Sequence, residues 1–231
     1  MRKHNFLITF TKKLNLLINK LLIRNLNKLN LYNFLNIAKS NKFFFTFVAL
    51  IVLCLLYISI PNTYDRNDVS KELQNQLQNK LNLQFNLSKN FKYDFFPRPH
   101  FTYSDASVLI GQDKISQIKN LKIYISLNNL FSLNNTKINN LILTKSNINL
   151  NKKNYYFFSQ ILSQDLADLK LKIKDSNIFY RNNDGQVLFI NKVKNLNYYY
   201  DIKDSKNILE AENEIFNLPY TFEISKKKNE K

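Results

Sequence analysis

Residues 169–175 read LKLKIKD, with Leu169, Leu171 and Ile173 alternating against Lys170, Lys172 and Lys174. In an extended strand successive side chains point to opposite faces, so this spacing gives one apolar face and one wet face. A helix, with its period of about 3.6 residues, would scatter both kinds of residue around its circumference. The stretch therefore predicts a strand in a one-sided sheet, with its lysines in water.

The same period spreads outward. LKIYISL (121–127) alternates Leu121, Ile123, Ile125 and Leu127, NINL (147–150) alternates again, and LNLQFNLS (81–88) sets Leu81, Leu83, Phe85 and Leu87 on one side. Further strands are predicted at 101–110, 138–144, 176–181, 186–191, 193–200, 206–213 and 218–224. Turns fall at Asn-rich points, Asn134–Asn135 and Asn182–Gly185, where Asn, Asp and Gly tolerate positive φ. Residues 64–80 (YDRNDVSKELQNQLQNK) read as a short helix: Val69, Leu73 and Leu77 recur every four residues, and Asp65 or Asp68 is placed to cap it. Tyr155–Leu162 reads as a short helix or an irregular link. The expected fold class is α+β, mainly β: an N-terminal transmembrane helix, a short helix, then a long antiparallel sheet of meandering hairpins with little helix to cover it. A one-sided sheet must bury its apolar face on something. Alternation looks the same whether a second sheet closes it into a sandwich or the sheet curls and leaves a groove.

The transmembrane helix is predicted at residues 43–60, FFFTFVALIVLCLLYISI, which carry no charge. At about 1.5 Å per residue this run is close to the hydrocarbon thickness of a bilayer. Lys42 closes it on one side and Pro61, where a helix is expected to stop, on the other. A buried core helix without a polar face is uncommon in a small chain. A cleaved signal peptide has a shorter apolar region and small residues after it, whereas Pro61, Asn62, Thr63 and Tyr64 follow here.

Charge sets the expected orientation. Nine of the 34 basic residues lie in 1–42, with no Asp or Glu, while mixed signs follow the helix: Asp65, Arg66, Asp68, Lys71, Glu72. The positive-inside rule places the N-terminus in the cytoplasm and residue 61 onward on the other side. The arm itself reads either as a basic amphipathic helix on the anionic leaflet, with Leu14, Leu17, Leu21 and Leu22 among basic residues, or as a disordered extension. With the basic tail 225–231 set aside, 61–224 holds 21 basic against 16 acidic residues. That is mildly basic, not a nucleic-acid stripe. The predicted organisation is therefore a basic cytoplasmic arm (1–42), the helix (43–60), a β domain (61–224) and a basic tail (225–231).

Residues 89–111 (KNFKYDFFPRPHFTYSDASVLIG) and 114–154 (KISQIKNLKIYISLNNLFSLNNTKINNLILTKSNINLNKKN), coming after an anchor and a leucine-bearing short helix, resemble the start of the AsmA family of bacterial envelope proteins. Phe96, Pro97 and Pro99 match an aromatic-Pro-x-Pro bend. Gly111 matches a small turn, Leu121–Phe131 a hydrophobic strand and its end, and Ile138–Leu150 the strand pair that follows. LKLKIKDSNIFYR (169–181) with Asp184–Gly185 resembles the next unit. The resemblance implies a curved β-groove, an inner-membrane anchor with the domain in the periplasm, and roles in outer-membrane assembly and phospholipid movement between membranes. Members are usually much longer, so this chain is expected to hold one N-terminal module that could not bridge two membranes alone, as a fragment, a minimal form or one subunit of an assembly.

No catalytic constellation is expected. His4 lies in the arm, and His100, between Pro99 and Phe101, reads as a packing residue. Cys54 lies inside the membrane helix, so no disulfide framework or CxxC metal site is expected. No Walker loop, nucleophile elbow or HExxH motif occurs. Asp94 and Asp105 read as turn or strand-edge residues, and Tyr198–Tyr200 as amphipathic strand rather than base stacking. No enzyme activity, cofactor, metal or nucleic-acid partner is expected. The first functional expectation is non-covalent lipid binding in an apolar β-groove. Its candidate lining is one strand face: Leu83, Phe85, Ile123, Ile125, Ile148, Leu150, Leu171 and Ile173. The alternatives are an envelope scaffold that recruits other envelope proteins through a sheet edge, and an accessory protein with a closed sandwich.

Overall fold

The structure is a computed structural model that describes residues 41–155 and 169–227. The reading of the arm, most of that of Tyr155–Leu162, and the last four residues of the tail fall outside the described residues. The chain divides into two compact units, residues 1–55 and 56–231.

The described part of the first unit is helical. Helix α1 runs Lys42–Ser59 with none of its residues buried, and it is long and apolar enough to cross a membrane. A 3₁₀ turn, Ile60–Thr63, follows, with Pro61 in its first positions. Proline is tolerated there because a first-turn N–H has no intrahelical partner to lose.

In the second unit, helix α2 (Arg66–Leu81) is capped by Asp65, whose carboxylate accepts from the N–H of Asn67 at 2.8 Å and of Asp68 at 3.2 Å. It ends in left-handed Asn82 (φ 53°), whose N–H donates to Gln78 O at 2.8 Å. Leu81 therefore closes the helix. The strand expected at 81–88 shrinks to β1 (Gln84–Asn86) because that cap consumes its beginning.

Eight more strands complete one open sheet: β2 (Phe91–Asp94), β3 (His100–Ile110), β4 (Asp113–Ile125), β5 (Ile138–Leu150), β6 (Lys170–Arg181), β7 (Val187–Asp201), β8 (Lys206–Ile215) and β9 (Leu218–Lys227). The order is β1-β3-β4-β5-β6-β7-β8-β9, with β2 also paired to β3. All pairs are antiparallel except β5–β6, which is parallel. This corrects the uninterrupted meander. Antiparallel neighbours need only a tight turn, but residues 151–169 are long enough to return the chain to the starting end of β5. Ser225–Lys227, expected in the tail, belong to β9, where they pair with Ile208, Asn207 and Lys206. Ladder bonds are made by the backbone, so terminal lysines do not stop the strand.

A crease of interrupted pairing crosses the sheet. Asp105, Lys119, Lys145, Asp175 and Lys194 lie on neighbouring strands β3 to β7, each skipped by the pairing, with the register kept on either side from β3 to β7. Asp105, Lys145 and Asp175 have positive φ (59°, 55° and 46°). Only between β7 and β8 does the register shift here, at Lys194, a bulge of the kind that bends and twists a strand.

The core lies where α2 crosses the first strands. Val69, Leu73, Leu77 and Leu81 share one buried cluster with Phe101, Tyr103, Leu121, Ile123 and Leu141. Polar ties fix the helix: Gln76 Nε2 donates to Thr136 O at 2.7 Å, Lys80 Nζ to Ile138 O at 2.9 Å, and Ser70 Oγ lies 3.4 Å from Tyr103 OH.

Candidate lipid-binding groove

Beyond α2 the same face continues across β5 to β9. The register carries apolar residues across it in rows. One row runs Leu143, Ile173, Leu196, Ala211, Phe222; the next runs Leu141, Leu171, Tyr198, Leu209, Ile224. A third runs Ile148, Ile178, Asn191, Ile215, Leu218. These rows carry no charged side chain. Between them and the end of α2 lies a cavity of about 300 Å³.

Six of the eight residues named from the sequence line that cavity: Leu83, Phe85, Ile148, Leu150, Leu171 and Ile173. Ile123 and Ile125 do not. They are buried in the core cluster that holds the apolar face of α2, at 0% and 2% exposure. The alternation identified the right face of β4, but the helix covers that part of it. The cavity also takes Leu141, Leu143, Ile178, Tyr180, Leu196, Tyr198, Leu209 and Phe222, which were not singled out. Their signal was present as alternation in the predicted strands. For Ile178 and Tyr180 it was masked, because the left-handed backbone at Asp175 (φ 46°) moves the inward positions from odd to even numbers.

The lining is nearly free of polar groups. Ser116 is buried there and its Oγ has no partner among the described residues. Tyr180 stacks on Phe189 at 4.2 Å, and burial, with smaller contributions from Tyr220 and Tyr155, raises its phenol pKa. Tyr180 is therefore uncharged at neutral pH. Such a cavity offers an apolar surface, at about 0.8 kcal/mol for each CH₂ moved into it from water. His100 lies elsewhere, buried and stacked on Tyr124 at 4.7 Å, with its Nε2 3.9 Å from Asp94.

A helix long and apolar enough to span a membrane, a short capped helix and a creased sheet with an apolar floor define a groove-like β-sheet protein with a candidate membrane anchor. The model of the AsmA family matches residues 38–173, more than half of the chain, and the chain belongs to that family. No curated protein matches it.

Proposed function

We propose that this is an inner-membrane-anchored periplasmic protein that binds phospholipid acyl chains non-covalently along the β5–β9 groove, in outer-membrane assembly or in phospholipid transport. The carrying observation is the floor itself: three charge-free rows crossing five strands beside an apolar cavity of about 300 Å³. Leu143, Ile173, Tyr198 and Leu209 are buried yet border that cavity, and a concave, almost wholly apolar lining of this kind supports a ligand site. Binding proceeds without bond-making, so no enzyme chemistry, cofactor or metal enters the account. The charge asymmetry about α1 supports a cytoplasmic N-terminus. The test is native mass spectrometry of the full-length protein released from detergent. Wild type should carry a phospholipid-mass adduct, and a folded Ile173→Asp/Leu196→Asp variant should not. Adducts on both, or on neither, contradict the groove.

A second reading is favoured by one feature. In β9 the groove-side residues Leu218, Tyr220, Phe222 and Ile224 are apolar up to the open edge of the sheet, and Leu218 is 71% exposed. A strand of another envelope protein added there would prolong both ladder and floor. Pro219, Lys226 and Lys227 guard only the ends of that edge.

A further inference from the structure

At one end of the sheet, two connections lie side by side. Residues 95–99 join β2 to β3, residues 126–137 join β4 to β5, and Ile125 N donates to Pro99 O at 3.1 Å between them. The last turn of α1 and the turn after it are tied to this same end by three tyrosines. Tyr57 OH donates to Leu127 O at 2.7 Å and accepts from Leu130 N at 3.3 Å. Tyr93 OH donates to Ile58 O, and Tyr64 OH donates to Leu130 O. The Tyr57 ring also packs on Phe131 at 5.2 Å.

These connections turn large apolar side chains outward. Phe96 is 80% and Phe131 77% exposed, and Phe95 and Leu127 are about half exposed. Core packing does not need them, and a turn in water gains nothing from two adjacent phenylalanines. Arg98, itself exposed, is held beside them with its guanidinium 5.2 Å from the Tyr124 ring. Tyr57 is two residues from the end of α1, or about 3 Å along the axis at the helical rise. If α1 spans a bilayer, this is the depth at which aromatic side chains sit among headgroups.

We propose that this end of the domain rests in the bilayer interface. Phe95, Phe96, Leu127 and Phe131 enter the boundary between headgroups and acyl chains, and Arg98 faces lipid phosphate. The partner is the lipid surface next to the helix exit. The proposal rests on reading α1 as a membrane span. It deepens the groove reading by holding the sheet at the membrane from which lipid would be taken.

The experiment uses full-length protein in a Cys54→Ser background, reconstituted in phosphatidylethanolamine–phosphatidylglycerol vesicles. A fluorophore is placed in turn at Phe96→Cys, Phe131→Cys, Leu50→Cys in the helix and Gln112→Cys in the far β3–β4 turn. Lipids brominated near the headgroup should quench positions 96 and 131, lipids brominated near the chain end should quench position 50, and neither should quench position 112. Quenching at 50 but not at 96 and 131 overturns the proposal and leaves the anchor standing. No quenching at 50 overturns the anchor and the proposal together. Labels at 96 and 131 that are shielded from aqueous iodide yet untouched by brominated lipid indicate a protein partner and also overturn it.

Discussion

Ile123 and Ile173 show what one residue's place in this sheet decides. Both point to the apolar face, but Ile123 is fully buried in the cluster with α2, while Ile173 lines the cavity. Ile123→Ala should leave a void that the helix cannot refill, losing about 2–5 kcal/mol. Ile173 belongs to the same buried cluster but borders the cavity, so Ile173→Ala should lose less, and denaturant unfolding of the full-length protein in detergent checks the order. Tyr103 gives a pH prediction. Burial raises its phenol pKa to about 12, against a smaller opposing effect of its bond to Ser70. The folded chain then holds this proton more tightly than the unfolded one, so the contribution is intact below pH 10 and is lost as pH rises toward 12. The loss from this group is about 2–3 kcal/mol. Tyr103→Phe should flatten that part of the alkaline stability curve, and an unchanged slope would mean another group carries it.

At the scale of elements, strict period-two reading broke where the crease interrupts the pairing. It divided β5 between 144 and 147, β6 between 175 and 176, and β7 between 191 and 193. Lys145, Asp175 and Lys194 stand at or beside those breaks. Left-handed Asp175 switches which positions face inward, so Leu171 and Ile173 line the cavity before it and Ile178 after it. Periodicity thus located nearly every strand but could not join the halves, because Lys145-Ser146-Asn147 and Asp175-Ser176-Asn177 carry the Asp, Ser and Asn that usually mark turns. The helix cover was half legible: Val69, Leu73 and Leu77 announced an apolar stripe, but no local pattern said that it would fall on Ile123 and Ile125. The crease makes its own prediction. Lys145 holds φ near 55°, where a side chain is strained and glycine is not. Lys145→Gly should keep or raise the melting temperature, while Lys145→Val should lower it by an amount corresponding to about 1–2 kcal/mol.

For the whole molecule, the order anchor, capped helix, creased sheet makes sense as one device only if its two ends meet different media. The proposed orientation puts residues 1–42, with their nine basic and no acidic residues, in the cytoplasm and the β domain outside. Protease added to spheroplasts should digest the domain beyond α1 and spare the arm, and the reverse pattern would end that orientation. The central claim, that the β5–β9 floor holds lipid, is tested most directly by photo-crosslinking in living cells. A photoreactive residue is placed in turn at Ile173 in the cavity, at Ile123 beneath α2 and at Lys172 on the opposite face. The account predicts phospholipid captured from Ile173 and from neither of the others, with capture abolished by Leu196→Asp in the neighbouring strand, where a desolvated carboxylate is costly. Equal capture from Ile173 and Lys172, or none from Ile173 in a folded protein, would contradict it.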